Sequence, residues 1–412
     1  MRALYSALLR LALPLVLARL WWRGRKEPGY RRFVGERLGR YALPAKEPLV
    51  WLHAVSVGEA RAAAPLVRSL QQALPDHALL VTCTTAAGRQ TLEQLYGSAV
   101  LASYLPYDYP SAVQRFLAHF RPRLGVIMET EVWPNLVAAC QARAIPLVLA
   151  NARMSEKSAR GYERWPGLMR PAFQGFAAVC AQTADDAARL RQLGADPVEI
   201  TGNLKFDVQP DHKQLEAGRA WRAALGRPVL LLASTREGEE ALLLAALETA
   251  PAEVLILVVP RHPQRFDEVA ALAQSRRSRT SIPNAGERVH LGDTMGEMAF
   301  YFAASDVALI GGSFLPLGGQ NLIEGLAVGT PIVTGPSMFN FAEATRLAVA
   351  AGAAIQCGSA TEAVRSALDL LSNASQRAEM SEAGKRFCAE HRGATRRHLE
   401  ALARVLRTRA RG

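Results

Sequence analysis

The sequence of 412 residues lacks the short motifs that mark several large enzyme classes. It has no Gly-x-x-x-x-Gly-Lys-Ser/Thr loop, no Gly-x-Ser-x-Gly elbow and no Gly-x-Gly-x-x-Gly after the first predicted strand. These absences argue against P-loop nucleotidases, α/β hydrolases and NAD enzymes. The spacings His-x-x-x-His, Cys-x-x-Cys and Asp-x-Asp are also missing, so we predict no metal site and no cofactor.

Cysteine is scarce, with five scattered residues that show no metal-ligand spacing. An odd number of isolated cysteines fits a reduced cytosolic compartment and buried thiols better than a disulfide framework. Low-complexity tracts and repeats of 20–50 residues are likewise missing. With 50% hydrophobic and 21% charged residues, the chain has globular composition, and its length suits two domains of about 200 residues.

Acidic residues are few at both ends of the chain, and the net charge of +12 is concentrated there. Residues 1–40 carry ten Arg and Lys against two Glu, and residues 391–412 carry seven Arg against one Glu. The body between them is therefore close to neutral. This distribution argues against a nucleic-acid groove through the core and favours an anionic surface that meets the termini.

The N-terminus has no long uncharged apolar run. Within residues 3–22, which are mostly Leu, Ala, Val and Trp, the longest such run covers residues 11–18, whereas a spanning helix needs about 20 residues. Trp21 and Trp22 precede a cluster of basic residues, a pattern typical of a membrane interface. We predict a shallow anchor on the cytoplasmic face of a membrane. A first helix packed on the protein body is the alternative.

Apolar runs alternate with helical stretches along the chain, which predicts α/β domains with parallel, doubly wound sheets. We predict two Rossmann-like domains with a ligand cleft between them, at the carboxyl ends of the strands. The predicted division is a basic and apolar segment 1–40, an N-terminal domain 41–207, a polar linker 208–227 and a C-terminal domain 228–412. Predicted strands are residues 49–52, 79–82, 124–128, 145–150, 179–181 and 198–201, then 229–233, 254–259, 288–291, 307–310 and 331–334.

A candidate base follows the first predicted strand. Ser56 and Gly58 offer backbone N–H groups at a helix start, where a carboxylate or phosphate is stabilised. Glu59 lies at the same helix start and could take a proton from an attacking hydroxyl. A purely structural role for Glu59, as a negative charge at a helix N-terminus, is the alternative.

Two more carboxylates and a lysine follow later strands of the first half. Glu129 and Glu131 come directly after a buried strand, where like charges are costly unless a ligand or cation uses them. Lys205 lies at the end of the first predicted domain and could neutralise an anionic leaving group. An ordinary solvated lysine is the alternative.

The second half contains a glycine-rich loop, residues 311–324, between a predicted strand and a predicted helix. Gly311 and Gly312, followed by Ser313, would let a ligand approach the backbone closely. The helix start suits an anion such as phosphate. Asn321 and Glu324 are one turn apart, so both could reach the hydroxyls of a ligand. A structural strand–helix turn is the alternative.

Two further loops of the second half also follow strands directly. Arg261 comes straight after a strand and could hold a phosphate or stack on a base. Residues 291–297 form a tight polar loop that could hold a nucleotide. Each signal is weak alone, but all of them fall where a parallel strand ends.

These segments together resemble the 3-deoxy-D-manno-octulosonic acid (Kdo) transferases of lipopolysaccharide synthesis. The resemblance extends from residues 19–26 to the last third of the chain. The segments that carry it are Ser-Val-Gly-Glu (56–59), Met-Glu-Thr-Glu-Val-Trp-Pro-Asn (128–135), Asn-Ala-Arg (151–153), Leu-Lys-Phe-Asp (204–207), Pro-Arg-His-Pro (260–263), Gly-Asp-Thr-Met-Gly-Glu (292–297), Gly-Gly-Ser (311–313) and Gly-Gly-Gln-Asn-Leu-Ile-Glu (318–324).

The resemblance implies a GT-B fold, an inverting and metal-independent reaction, CMP-Kdo as donor and a lipid A precursor as acceptor at the inner membrane. It implies that Glu59 is the general base and that Glu129 and Lys205 stabilise charge. Gln320 stands where some members of the family have His. The implied CMP contacts are Pro260, Arg261, Met295, Gly296, Glu297, Asn321, Leu322, Ile323 and Glu324. Further candidate donor or acceptor contacts are Ser56, Gly58, Glu131, Gly311, Gly312 and Ser313.

Two other functions stay open on the residues alone. One is a GT-B enzyme that uses a UDP-sugar for an envelope glycolipid, which would bind UDP in preference to CMP. The other is a non-catalytic basic protein that binds anionic lipid or nucleic acid, in which the three candidate catalytic residues could be neutralised without loss.

Overall fold

Two parallel sheets of seven strands each form the framework of residues 1–207 and 209–411, which are the residues that the computed structural model describes. The first sheet belongs to unit 1, which comprises Met1–Val208 and Arg392–Gly412, and the second to unit 2, which comprises Gln209–His391. Both units are α/β with parallel strands, so the predicted fold class is confirmed.

The sheet of unit 1 has the strand order β3-β2-β1-β4-β5-β6-β7. The chain reverses its direction of progress across the sheet between β1 and β4, and ligand sites of open α/β sheets form at the carboxyl ends of the strands at such a point. The strands are β1 (Leu49–His53), β2 (Ala78–Cys83), β3 (Leu101–Tyr104), β4 (Leu124–Met128), β5 (Leu147–Ala152), β6 (Ala178–Ala181) and β7 (Val198–Ile200).

Helices cover both faces of this sheet. Successive residues of β1 belong to different apolar clusters, Trp51 to one and Val50 and Leu52 to the other, so the strand is buried on both sides. The helices that precede residue 200 are α1 (Arg2–Lys26), α2 (Val34–Arg37), α3 (Val57–Ala62), α4 (Ala64–Ala73), α5 (Ala86–Tyr96), α6 (Pro110–Phe120), α7 (Pro134–Ala142), α8 (Glu156–Glu163), α9 (Pro166–Gln174) and α10 (Ala184–Gln192).

The sheet of unit 2 has the order β10-β11-β9-β8-β12-β13-β14, with its reversal between β8 and β12. Its strands are β8 (Val229–Thr235), β9 (Leu255–Pro260), β10 (Ser275–Arg276), β11 (Val289–Leu291), β12 (Val307–Ile310), β13 (Ile332–Thr334) and β14 (Ala354–Gln356). The helices from residue 209 onward are α11 (His212–Leu225), α12 (Glu239–Ala246), α13 (Phe266–Ala270), α14 (Met298–Ala303), α15 (Ile323–Val328), α16 (Ala342–Ala350), α17 (Ala360–Ser372), α18 (Ala374–His391) and α19 (Ala394–Arg411).

The predicted domain borders need two corrections. Residues 208–227 were predicted as a linker, but α11 occupies most of this range and buries Gly218 and Trp221 within unit 2. The C-terminal helix α19 was assigned to the second domain, but it belongs to unit 1, where Leu402 joins the same apolar cluster as Leu66 of α4. Amphipathic periodicity shows that a helix has an apolar face, but not which sheet covers that face.

The N-terminal segment combines an exposed helix with a packed connection. Helix α1 has only a small buried fraction, and its first turns are tied to unit 1 because Tyr5 Oη donates to Asp108 Oδ2 at 3.1 Å. Tyr30 and Glu36 are buried, and Glu36 accepts the backbone N–H of Tyr104 at 2.9 Å. Residues 27–40 therefore contain part of the unit 1 core, and the predicted membrane-associating segment reduces to α1.

Candidate active site

Glu59 occupies the helix start that the sequence predicted. Ser56 is the N-cap of α3, and its hydroxyl accepts the backbone N–H of Glu59 at 3.5 Å. In return, the Glu59 carboxylate folds back and accepts the N–H of Val55 at 2.9 Å and the Ser56 hydroxyl at 3.4 Å. This reciprocal arrangement resembles a capping box, so Glu59 has a structural role that a catalytic role must accommodate.

The surroundings of Glu59 make its carboxylate a stronger base than usual. Burial, as the largest cause, raises its pKa to about 8, and the nearby charge of Glu129 acts in the same direction. The hydrogen bond from Val55 opposes both effects, and Glu131 adds a smaller repulsion. A carboxylate with a pKa near the working pH is suited to accept a proton and then release it.

Glu129 lies in the turn after β4 and contacts two basic side chains. It is buried, and its φ of 58° belongs to the left-handed region, which few residues other than glycine adopt. Its Oε2 lies 4.0 Å from Arg153 Nη2, and its Oε1 lies 3.8 Å from Lys205 Nζ. Burial raises the pKa of Glu131, and the charge of Glu129 raises it further. Four predicted residues of unit 1, namely Glu59, Glu129, Glu131 and Lys205, thus share one electrostatic environment.

Arg153 received no role from the sequence, although it follows β5 in the segment Asn-Ala-Arg. The rule that selects side chains directly after parallel strands would have selected it as well. Gly58 is exposed at the start of α3, and the hydroxyl of Ser56 is already engaged as a cap. The roles of both as ligand contacts stay predictions.

The glycine-rich loop of unit 2 is packed closely against its neighbours. A Cβ on Gly311 would lie 2.5 Å from the backbone oxygen of Ser234, so only glycine fits there. Gly312 has a φ of 69°. Ser313 is fully buried, and its Oγ donates to Ile310 O and accepts the N–H of Gly335, so its hydroxyl braces the loop internally.

A buried carboxylate that the sequence analysis did not assign holds this loop. Glu239, at the start of α12, is fully buried and accepts the backbone N–H groups of Gly312 and Phe314 at 2.6 and 3.0 Å. It also accepts the N–H of Arg236 at 2.9 Å. The acidic start of a helix after a strand is visible in the sequence, but Gly312 and Phe314, its partners in the glycine-rich loop, lie more than 70 residues away.

The end of the glycine-rich loop differs from the expected phosphate site. Helix α15 begins at Ile323 and has only six residues, so its dipole is weaker than that of a full helix. Asn321 Nδ2 donates to Glu324 Oε1 at 3.0 Å, which confirms that these side chains are neighbours. Leu322 and Ile323 point into the core, so only their backbones could contact a ligand.

The loop after β11 is braced by arginines that the sequence analysis missed. Arg277 Nε donates to Glu297 Oε2 at 2.9 Å and holds the pKa of that carboxyl below its usual value. Arg276 pairs in the same way with the buried Asp293. Within the loop, Met295 is exposed at 49% and Gly296 has a φ of 80°. Pro260 is the last residue of β9, and Arg261 follows it and donates its backbone N–H to Thr235 O at 2.9 Å.

Residues 1–207 and 209–411 contain no group of three or more His, Cys, Asp and Glu side chains that could hold a metal ion. Each carboxylate described above has hydrogen-bond donors or basic side chains beside it. All five cysteines are buried, as the sequence predicted.

Comparison with known proteins identifies the family. A family model described as 3-deoxy-D-manno-octulosonic-acid transferase (Kdo transferase) matches residues 32–208. The 3-deoxy-D-manno-octulosonic acid transferase of Bordetella pertussis is 48% identical over 97% of this chain and 98% of its own length. The chain belongs to the Kdo transferase family. The Haemophilus influenzae transferase is 36% identical over the same shares of both chains. This Kdo transferase is therefore an enzyme, and the UDP-sugar and non-catalytic alternatives are wrong.

The fold of the Kdo transferase also matches solved structures of low sequence identity. The UDP-GlcNAc 2-epimerase of Neisseria meningitidis, whose structure contains UDP-GlcNAc, aligns with a TM-score of 0.59 over 86% of this chain and 100% of its own. The identity is 18%, so the likeness concerns the fold alone. It agrees with the predicted GT-B type of architecture.

Proposed function

We propose that this Kdo transferase moves Kdo from CMP-Kdo to a lipid A precursor, lipid IVA, at the cytoplasmic face of the inner membrane. We further propose that the reaction inverts the anomeric centre and needs no metal ion. The observation that carries this proposal is the group formed by Glu59, Glu129 and Lys205 at the carboxyl ends of the unit 1 strands. It combines a base of raised pKa with a paired positive charge.

Glu59 acts as the general base in this mechanism. An acceptor sugar hydroxyl attacks the anomeric carbon of Kdo, and its proton passes to the Glu59 carboxylate as the new C–O bond forms. A pKa of about 8 lets the carboxylate hold this proton until it is released to solvent. A single base that activates the nucleophile on the face opposite the leaving group produces inversion.

The bond between the anomeric carbon and the CMP phosphate oxygen breaks as the acceptor attacks. The electron pair of this bond leaves with the phosphate oxygen, so CMP gains one negative charge while Glu59 takes up the acceptor proton. Lys205 offsets the negative charge that develops on the phosphate. In this scheme Lys205 takes the role that a divalent ion has in metal-dependent transferases. Glu129 keeps Lys205 in place at 3.8 Å and favours positive charge on the sugar ring in the transition state.

Predicted contacts for CMP are found in three loops of unit 2. The N–H groups of Gly312 and Phe314 already donate to Glu239, so the proposed ligand contacts of the glycine-rich loop are the side chains of Asn321 and Glu324, which are suited to ribose hydroxyls. Arg277 and Glu297 support the loop that contains Met295. These loops are proposed to bind the cytidine nucleotide because they follow parallel strands, where nucleotides bind in related architectures.

The proposed reaction is tested by incubating purified enzyme with CMP-Kdo and a tetra-acylated lipid A precursor in EDTA, and by mass spectrometry of the lipid. We expect mass gains in steps of one Kdo, unchanged when magnesium replaces EDTA. Activity only with magnesium would contradict the metal-free mechanism. If the enzyme transferred Kdo to another acceptor but not to the lipid A precursor, the proposed acceptor would be wrong.

Membrane association is supported by the exposed surface of α1. Length and composition alone would allow the segment Arg2–Arg25 to cross a membrane, whereas the uninterrupted run of residues 11–18 predicted a segment too short to span. The two results differ because Arg10 and Arg19 interrupt a helix that is otherwise largely apolar. Exposed apolar side chains recur at helical spacing along one side of α1, at Leu4, Leu8, Leu11, Leu15 and Trp22.

The end of α1 adds basic and aromatic side chains suited to lipid headgroups. The guanidinium groups of Arg25 and Arg31 lie 4.5 and 4.8 Å from the Trp21 ring centre. Aromatic rings with arginines beside them are common at the membrane interface. We propose that α1 inserts the stripe of leucines into the membrane that holds the lipid acceptor.

Leu11→Glu is expected to reduce binding to anionic phospholipid vesicles by about ten-fold or more, because a charged side chain within an inserted helix costs about 2 kcal/mol or more. Leu11 is 77% exposed, so the substitution leaves the fold intact. Vesicle co-sedimentation provides the measurement. Leu272→Glu is the matched control, since Leu272 is an exposed leucine of unit 2. Equal binding of the wild type and Leu11→Glu would rule out insertion of this stripe.

A further inference from the structure

The backbone of Asn151 leaves the regular ladder of the unit 1 sheet next to the candidate active site. The register between β5 and β6 shifts between Leu149 and Ala152, and Asn151 has a φ of 52°. Its neighbour Ala150 accepts the backbone N–H of Glu129 at 2.9 Å. Arg153, two residues after Asn151, pairs with the Glu129 carboxylate. A buried backbone N–H that leaves the ladder needs a partner from elsewhere.

That partner comes from the C-terminal helix. The N–H of Asn151 donates to Nε2 of His398, 247 residues later in the chain, at 2.9 Å. Because a backbone amide can only donate, Nε2 must be without a proton. Nδ1 then carries the hydrogen and donates to Ala394 O at 2.7 Å. His398 is fully buried, and burial lowers its pKa to about 4, so the ring is neutral at physiological pH.

Asn151 passes this restraint on to the turn that contains Lys205. Its side-chain Oδ1 accepts the N–H of Leu204 at 3.0 Å. The backbone oxygen of Asn151 accepts a hydrogen bond from Gln182 Nε2 at 2.9 Å. Gln182 Oε1 in turn accepts a hydrogen bond from Asn203 Nδ2 at 2.9 Å. Asn203 Oδ1 in turn accepts the N–H of Lys205 at 3.0 Å. Two connected routes therefore link one buried asparagine to the residues at Lys205.

The helix that supplies His398 is anchored to the same turn. Asp207 accepts the backbone N–H groups of Gly393 and Thr395 at the start of α19, the first at 2.7 Å. Arg397 Nε donates to Thr201 O at 2.8 Å. The position of α19 and the position of the turn 204–207 are therefore determined together.

We propose that His398 is a positioning residue for the transfer reaction, because its neutral ring holds Asn151 and, through it, the Lys205 ammonium against Glu129. This inference rests on the proposed function, in which Lys205 offsets the charge of the departing CMP. It gives the C-terminal helix, which the sequence analysis assigned to the other domain, a part in the geometry of the active site.

The test compares His398→Leu with His398→Gln. Leu has a similar volume but no acceptor, so Asn151 N–H loses its partner and the turn shifts. The Gln Oε1 can reach the place of Nε2 and accept that N–H. We expect His398→Leu to lower kcat by about ten- to a hundred-fold, because a shift of about 1 Å in the position of a catalytic group such as the Lys205 ammonium can cost up to that factor in rate. The KM for CMP-Kdo should change little, and His398→Gln should retain most of the wild-type kcat.

A second measurement separates this inference from the proposed function. Acetylation of Lys205 by an amine-selective reagent, followed by peptide mass spectrometry, needs no substrate. We expect faster acetylation of Lys205 relative to Lys46 in His398→Leu, but not in His398→Gln. If the wild type transfers no Kdo and this acetylation pattern is found, the proposed function fails and the positioning contact stands.

The inference is overturned if folded His398→Leu keeps both the wild-type kcat and the wild-type acetylation of Lys205. If His398→Leu does not fold, His398→Asn replaces it, because its amide reaches only the place of Nδ1. Equal kcat and equal Lys205 acetylation in His398→Asn and His398→Gln would then overturn the inference. Thermal melts establish folding in each case.

Discussion

Glu59→Gln is expected to lower kcat for Kdo transfer by about 10²- to 10⁴-fold, the usual effect of a lost general base. In the wild type the Val55 N–H donates to the Glu59 carboxylate at 2.9 Å. Gln keeps an oxygen that can accept this hydrogen bond, so the helix start stays capped. It cannot accept the proton of the acceptor hydroxyl. Initial rates measured by mass spectrometry of the lipid product provide the comparison.

The control for this prediction is Glu253→Gln, an exposed carboxylate before the first residue of β9. It should keep the wild-type rate. Binding of CMP-Kdo to Glu59→Gln should also be near the wild-type level, since the predicted nucleotide contacts lie in unit 2. Full activity of a folded Glu59→Gln enzyme would refute the base assignment and leave Glu59 with its capping role alone.

The raised pKa of Glu59 predicts a specific pH dependence. Since the base must be ionised to act, kcat/KM should rise with pH up to about 8 and level off above it, and this rise should be lost in Glu59→Gln. The folded pKa is above the ordinary value of 4.5, so the stabilising contribution of the neutral carboxyl is full below that value and is lost as the pH rises through about 8. Thermal melts should therefore show Glu59→Gln gaining stability relative to the wild type at alkaline pH.

Lys205→Met should lower kcat by about 10²- to 10³-fold, the effect of removing one group that stabilises charge in the transition state. The Nζ of Lys205 lies 3.8 Å from Glu129 Oε1, so the substitution also leaves Glu129 with Arg153 at 4.0 Å as its remaining ion-pair partner among the described residues. Met is unbranched, apolar and similar in length to the Lys stem, so the loss should come from the missing charge. Rates at saturating CMP-Kdo measure this effect.

Lys46→Met is the matched control, because Lys46 is exposed and precedes β1 at the amino end of the sheet, opposite the candidate site. Lys205→Arg keeps a positive charge and should retain more activity than Lys205→Met. If Lys205→Met kept more than half of the wild-type kcat, the charge of Lys205 would have no role in the departure of CMP. Glu129 would then have to act on the sugar directly.

The sequence selected the residues of the candidate site by their position directly after a strand. Glu59, Glu129 and Lys205 were selected because each comes after a buried strand or at the end of the predicted domain, and all three share one environment in unit 1. Parallel strands end at one edge of the sheet, so order along the chain is enough to predict that such residues meet. Their individual catalytic roles stay predictions.

Short edge strands and supporting residues were missed for physical reasons. The strands β3, β10 and β14 lie at or near sheet edges and have two to four residues, too few to show periodicity. Glu239 and Arg277 look like ordinary surface charges in the sequence. Their function as braces appears only when Gly312 N or Glu297 lies within hydrogen-bond distance.

By itself, the sequence determined the α/β class, the two sheets, the strand-end residues and the resemblance to the Kdo transferases, because hydrophobic periodicity and local motifs are properties of neighbouring residues. Only the tertiary structure decided that α19 packs on unit 1, that His398 accepts the N–H of Asn151, and that α11 occupies the predicted linker. These contacts join residues far apart in the chain, and any sheet with an apolar face could have accepted the same helices. The choice depends on complementary packing and on buried hydrogen bonds, which no local pattern records.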